Sequence, residues 1–546
     1  MLLFDANVQV GRYRQLREGM PYSKDDLLKD MDRFGIAEAL VLHSLSREAH
    51  LAPGNHRVLR TVEGEPRLHP CWAVVPARSG ENGPLDMLLD RLYKSSIRAV
   101  KLFPGHYSFS LQEWCLGSLL EVLEEGRLVT FIDPNSQYMG TPMDQTNWDA
   151  LVALCRAHPK LPVVLSESRL RSGNRMLYQA FETCPNLHLE LSGFWEHRGI
   201  EFLCHEFGPE RLLFGTKWPV RELGGTVAQL QYAEIGEAER SKIGGDNLRK
   251  LLAGAHPSKR RAKPEFQISI KPPKGETLRA QALRGDRPDR LIIDTHAHLG
   301  KSAIYHLPQS SPALVEQEMQ RLGVRCSIVF GFSGVTGDWT YDNDLVTQAM
   351  RRHPGRYHGL IVVNPNHPGE MMQELERCVD RGFIGVKLIP SYQDYPEDGP
   401  NIELAVRWAN EHRMIVLNHS WGPTDHLRRL AVKYPEVTFI IGHYTTQHAA
   451  VVNNYPNVYQ CTCEPLTYNS VETLVDALDT SKIVFGSDTT DLPLMLGMGP
   501  ILHARIPEED KDRILGLNAR DLLRKVGVRI AASEPMEELD GEYEAE

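Results

Sequence analysis

Through the second half of the chain, short apolar runs rich in Val, Ile and Leu recur at residues 291–298, 324–332, 357–365, 383–390, 414–420, 437–443, 458–465 and 482–489. Each run is nearly continuous rather than alternating, which is the pattern of a strand buried on both faces of a parallel sheet. The stretches between them carry apolar residues at helical spacing, with matching punctuation. Ser311 before Pro312 reads as an N-cap followed by a proline in the first turn, Gly323 closes that helix, and a second helix over 374–381 stops at Gly382. Eight strand-helix units in roughly 240 residues is the size of a (β/α)8 barrel.

The first half repeats this order. LLFDANVQVG from Leu2 matches LIIDTHAHLG from Leu291, and IRAVKLFP from Ile97 matches FIGVKLIP from Phe383. RLLFGTKWP from Arg211 matches SKIVFGSDT from Ser481, and DNLRKLL from Asp246 matches LNARDLL from Leu517. Self-similarity in one order means one unit used twice. The expected architecture is therefore α/β, two tandem (β/α)8 TIM barrels over residues 1–255 and 291–527. A basic, proline-rich connector at 256–290 joins them, and an acidic tail follows at 528–546. Two linked copies have a high effective concentration for one another, so an intrachain pseudo-dimer is expected, with further homo-oligomers open.

Composition narrows the class. The chain has 546 residues, 42% hydrophobic and 24% charged, and no apolar run approaches the ~18 residues of a membrane span. Seven acidic residues between Glu534 and Glu546 account for most of the formal charge of -10, and no helix carries a basic stripe, which argues against nucleic acid as a partner. The tail reads as disordered, solvated charge. The first strand-like run begins at Leu2 with no basic segment before it, so no targeting peptide is expected. Nine scattered cysteines fit reduced thiols in a cytoplasmic protein, and the close pair Cys461 and Cys463 reads as two core thiols.

Candidate chemistry lies where the second copy's apolar runs end, because the C-terminal face of such a barrel carries its active site. His296 and His298 stand on the first run, Lys387 on the fourth, His419 on the fifth, His443 on the sixth and Asp488 on the eighth. Period-2 alternation puts Asp294, His296 and His298 on one face, so two imidazoles can close on one metal ion. Asp294 reads equally as an orienter of a ligand imidazole or as a hydrogen-bonding partner at the strand start.

With DTHAH, GVKLIP, NHS, GHY and FGSD in this order, the second copy resembles the amidohydrolase superfamily. Within it, the resemblance is to the amidohydrolase-related branch that includes relatives of aminocarboxymuconate semialdehyde decarboxylase. The first copy shares only the fold. The resemblance implies a divalent metal held by His296, His298 and Asp488, with His419 as a further ligand and His443 orienting water or substrate. Lys387 matches a lysine that bridges two metals in binuclear relatives, and is read first as a cation beside the substrate. Nitrogen and carboxylate donors suit zinc, with manganese as the alternative. Such an ion makes a water nucleophile available near neutral pH, with Asp488 as proton carrier and His443 as oxyanion stabiliser.

The implied enzyme is a metal-dependent hydrolase of a small-molecule amide, ester or lactone. The alternatives are a non-oxidative decarboxylase of a small carboxylic acid on the same site, and a non-catalytic scaffold. Trp339, Tyr341, Tyr392, Tyr395, Trp421 and Tyr444 after the strands favour an aromatic or cyclic substrate. In the first copy every presumptive ligand has changed. Asn7 and Gln9 replace His296 and His298, Asp133 replaces His419, Glu167 replaces His443 and Lys217 replaces Asp488, while Lys101 keeps the position of Lys387. Buried carboxylates need a counter-charge, so an ion-pair cluster around Lys217 and Lys101 is expected in a catalytically silent barrel.

Overall fold

The computed structural model describes residues 1–530, apart from 14–15, 17–18, 49–50, 136–145, 169–172, 257–273, 302–306, 308 and 336–337. The chain divides into two compact units, the second beginning at Lys274. The first contains strands β1 (Leu3–Val10), β2 (Ile36–His43), β3 (Leu68–Ala73), β4 (Ala99–Leu102), β5 (Val129–Ile132), β6 (Val163–Leu165), β7 (Leu187–Glu190) and β8 (Leu212–Leu213). The second contains β9 (Ile292–Leu299), β10 (Val324–Gly331), β11 (Tyr357–Val362), β12 (Gly385–Leu388), β13 (Ile415–Asn418), β14 (Thr438–Ile441), β15 (Val458–Cys461) and β16 (Ile483–Val484).

Each set pairs in parallel in sequence order. Both sheets close on themselves: the Ala6 and Gln9 amides donate to Phe214 and Trp218 oxygens at 2.9 Å, and the Thr295 amide donates to Phe485 at 2.8 Å. Two tandem (β/α)8 barrels result. Ile328, Leu360, Ile415, Leu417 and Ile440 are among the buried side chains of the second core. All nine cysteines are free thiols, and eight are buried. No helix among the described residues is long and apolar enough to cross a membrane.

The helix Pro312–Leu322 has the expected ends: the Ser311 side chain accepts from the Leu314 amide, and Gly323 takes a left-handed φ of 82°. The helix expected from Glu374 begins earlier, at Pro368, whose fixed φ suits a first turn, and it ends at Val379. The expected connector is shorter than the sequence suggested. Residues 278–284 form a helix capped by Thr277 and closed by Gly285, and Leu278, Ala280 and Ala282 are buried. The Leu278 amide donates to Glu508 at 2.8 Å and Arg290 pairs with Asp512 at 3.0 Å, so this segment is part of the second unit. Its small apolar stripe was overlooked among the neighbouring charges. Val528 and Ile530 also pack against the second core, while the remaining acidic tail and the basic stretch 257–273 lie outside the described residues.

Strict alternation fails in β9. Asp294 pairs with Ser327 and Ala297 with Val329, so β9 holds one more residue than β10 between these rungs. β1 has the same feature between Asp5 and Val8. A bulge of this kind re-aims side chains at a sheet edge or active site. Asp294 turns towards the loop after β16, accepting from the His296 amide at 3.0 Å, the Ser487 amide at 3.0 Å and the Ser487 hydroxyl at 2.5 Å. Asp5 makes the same clamp with the Asn7 amide, the Thr216 amide and the Thr216 hydroxyl.

Because the first barrel keeps this clamp without the histidines, its purpose is closure of the barrel. Replacing Thr216 by Val keeps the shape and leaves one buried Asp5 oxygen short of a donor. The expected cost is about 1–3 kcal/mol, read as a lower urea midpoint at unchanged slope.

Candidate metal centre

Each polar strand end of the second barrel reaches one place. His296 and His298 come from β9, Lys387 from β12, and His419 directly after β13. His443, Cys463 and Asp488 follow β14, β15 and β16. Nε2 of His298 lies 3.0 Å and Nε2 of His296 3.4 Å from the same Asp488 oxygen. The His419 ring stands 4.2 Å from that of His443, centroid to centroid, and His443 is 5.2 Å from His296. Asp488 adopts a φ of 65°, a backbone state uncommon for non-glycine residues and typical of functional sites. Lys217, its counterpart, keeps a φ of 60°. The turn is therefore inherited by both copies, and only the side chain differs.

Protonation follows from burial. Burial, with the Lys387 ammonium beside it, holds His296 well below the ordinary imidazole value, and burial also lowers His298. Burial with the charge of His443 takes His419 down to about 2. All three rings are thus neutral. Burial would raise Asp488, but the hydrogen bond from His298 and the neighbouring imidazoles outweigh it, leaving the carboxyl well below its usual range. Lys387, 3.3 Å from Nε2 of His296 and 4.3 Å from the Phe330 ring centre, is pushed down to about 8 by burial.

The orienting partner of His296 differs from expectation. Asp294 touches its backbone amide and no imidazole, whereas the Gly442 carbonyl lies 2.8 Å from Nδ1. A carbonyl only accepts, so Nδ1 carries the proton and Nε2 presents a lone pair towards the Asp488 carboxylate. The Lys387 ammonium, 3.3 Å from the same Nε2, offsets part of the repulsion between these two lone-pair atoms 3.4 Å apart. Nδ1 of His298 is buried with no partner among the described residues. The donor set therefore fits a divalent cation.

Sequence reasoning passed over one member. Cys463, read as a core thiol, is indeed in the apolar cluster, but its sulfur also lies 3.4 Å from Nδ1 of His443. Ligand atoms of His296, His443, Cys463 and Asp488 all lie within 4.8 Å of one another, a group that takes in His296 and Asp488 of the expected ligands but not His298 or His419. The signal was its place at the end of an apolar run, as for the histidines. Gln460, also missed, donates from its amide to the His443 carbonyl at 2.7 Å, and Glu464 stands 3.4 Å from Nδ1 of His443.

The aromatic loop residues separate. Trp421 is buried against Phe439, Tyr395 accepts from the Ile389 amide at 2.7 Å, and Trp339 packs on the core. Tyr341 is exposed and Tyr444 half-buried. Tyr392 meets the site, its ring perpendicular to His419 at 5.5 Å. Half of the six aromatic residues counted from sequence are thus packing, which weakens the expectation of an aromatic substrate.

At the matching place in the first barrel, Glu167 pairs with Lys101 at 2.9 Å and also with Lys217. Lys101 donates to the Asn7 side chain at 2.9 Å, and Asn7 donates to Glu167 at 3.1 Å. Asp133 pairs with Arg47 at 3.4 Å, a partner absent from the strand-by-strand comparison because it enters from the short helix Ser44–Glu48 after β2. The lysines hold Glu167 well below the carboxylate range against its burial, while burial and the Glu167 charge push Asp133 up to about 6.

L-fucono-1,5-lactonase of Burkholderia ambifaria is 30% identical over 126 residues, which is 18% of this chain and 43% of the relative. The chain thus spans less than half the length of that curated relative. Among solved structures, 5-carboxyvanillate decarboxylase of Sphingomonas paucimobilis covers 43% of this chain and 99% of its own length at 15% identity and a TM-score of 0.34. A TIM-barrel protein of Bordetella bronchiseptica covers the same shares at 17% identity and a TM-score of 0.37. The sequence profile of the amidohydrolase family matches residues 20–253 and again 293–525, one stretch for each barrel, and on that match the chain belongs to the amidohydrolase family.

Proposed function

We propose that the second barrel is a metal-dependent hydrolase that opens a small ester or lactone, and that the first barrel performs no chemistry. The observation that carries this is the convergence of His296, His443, Cys463 and the ionised Asp488 within 4.8 Å of one another, with the Gly442 carbonyl fixing the His296 tautomer. His296, His298 and Asp488 would hold the ion, with His419 as the further ligand and zinc preferred over manganese for the imidazole donors. When bound, such an ion polarises the substrate carbonyl and makes water a nucleophile at neutral pH.

The chain's own groups supply the proton traffic. Asp488, ionised in the resting site, accepts a proton from the attacking water at its carboxylate and returns it to the leaving oxygen. His443, whose backbone carbonyl is held by Gln460, offers its ring to the oxyanion. The buried Lys387 ammonium offsets the negative charge that accumulates as the carbonyl is attacked. Phe330 and Phe332, with ring centres 4.4 and 4.6 Å from that of His298, restrict water on that side. The lactone preference rests on the curated lactonase relative.

The test is metal analysis of the purified full-length chain, followed by two assays: acid release from sugar 1,5-lactones and carbon dioxide release from aromatic acids. About one divalent ion per chain and chelator-sensitive lactone opening are expected. Carbon dioxide release without lactone opening would favour the decarboxylase, and a metal-free protein active in neither assay would sink both readings.

A further inference from the structure

The proposed function leaves Cys463 unused, yet its position is hard to reconcile with simple packing. Its side chain is buried and its sulfur reaches the place where His296, His443 and Asp488 converge. Cys461, two residues earlier, is the contrasting case: its sulfur accepts from the Cys463 amide and from the Thr295 hydroxyl, so it faces its own strand and β9. Neither of those contacts involves the Cys463 sulfur, which reaches both the Cys461 thiol and, at 3.4 Å, Nδ1 of His443.

Distances agree with shared ligation. A tetrahedral zinc with Zn–S about 2.3 Å and Zn–N about 2.0 Å sets S···N at roughly 3.5 Å. The Cys463 sulfur is 3.4 Å from Nδ1 of His443, a donor position that leaves the Nε2–H of that ring for the oxyanion, and all four donors of the group lie within 4.8 Å of one another. The competing account is a plain S–H···N hydrogen bond that fixes the His443 ring. It explains the pair, but not the convergence of both residues with His296 and Asp488.

We infer that Cys463 is a thiolate ligand of the divalent ion held by His296 and Asp488. As the metal–sulfur bond forms, the S–H bond breaks and the proton leaves to water, so the sulfur brings one negative charge to the centre. A soft sulfur donor directs the site to zinc or cobalt rather than to magnesium or manganese. The inference rests on the proposed metal centre, and the experiment separates failure of the one from failure of the other.

The full-length chain is stripped of metal, reconstituted with Co(II) and measured by absorption, beside its Cys463→Ser variant. Expected are one cobalt per chain in both proteins, visible ligand-field bands in both, and a near-ultraviolet sulfur-to-cobalt charge-transfer band in the wild type alone. Stoichiometric cobalt without that band in the wild type, or a band that persists in Cys463→Ser, overturns thiolate ligation and leaves the metal centre standing. Failure of the wild type to bind cobalt overturns both. Zinc-edge X-ray absorption of the wild type needs no variant: one sulfur scatterer at about 2.3 Å is expected, and a shell of nitrogen and oxygen alone overturns the inference.

Discussion

Replacing His296 and His298 together by Ala is expected to abolish divalent metal binding and to lower turnover on the order of 10⁴-fold, while the barrel stays folded. Both imidazoles approach one Asp488 oxygen, so the double change takes away two of the donors that converge there. Lys387 and His443 remain beside the carboxylate, which therefore keeps cationic and polar neighbours after the change. The clamp from Asp294 to Ser487 uses the backbone amide of residue 296 and not its ring, so barrel closure survives. Metal content by mass spectrometry, far-ultraviolet circular dichroism and steady-state turnover give the three readouts. Stoichiometric metal in the double variant would refute the assignment, whatever its activity.

Lys217→Met is expected to destabilise the first barrel by about 3 kcal/mol, because removing one partner of a buried ion pair leaves the other charge uncompensated. Lys217, Glu167 and Lys101 are each about 5% exposed or less, so solvent screens this pair little. Lys101 still reaches Glu167 at 2.9 Å, which limits the loss and places it at the lower end of the range for such deletions. Burial pushes Lys217 down to about 8, opposed by the charges of Glu167 and Asp133 and reinforced by those of Arg221 and Arg47. At pH 7 the lysine remains charged, and that is the condition for the measurement. Thermal unfolding followed by calorimetry should show the loss; an unchanged midpoint would mean that the charges are satisfied by other groups.

Fold and candidate site were legible to different degrees, and the reason is the range over which each signal acts. Buried parallel strands must be apolar on both faces, so all eight strands of the second barrel could be placed from hydrophobic runs, and the internal repeat then gave the first. Polar residues interrupting those runs stand out, which is why His296, His298, Lys387, His419, His443 and Asp488 are candidates from sequence alone. Cysteine is itself apolar enough to sit in a core, so Cys463 gave no such contrast, although its sulfur reaches His443. The helix over 278–284 was lost among charges for the opposite reason: a short apolar stripe is outweighed locally by Arg and Glu, and becomes visible only where it is buried.

What the sequence determined by itself is the architecture and the ring of strand ends at which chemistry can occur, because periodicity and order along the chain are local properties. What the tertiary structure decided is which atoms face one another. The bulge in β9 sent Asp294 to the closing loop, the Gly442 carbonyl took over the His296 tautomer, and Arg47 entered the first barrel to meet Asp133. Each pairing joins residues far apart in the chain through a bulge, a backbone carbonyl or a short helix, and none of these leaves a residue-type signature in the sequence.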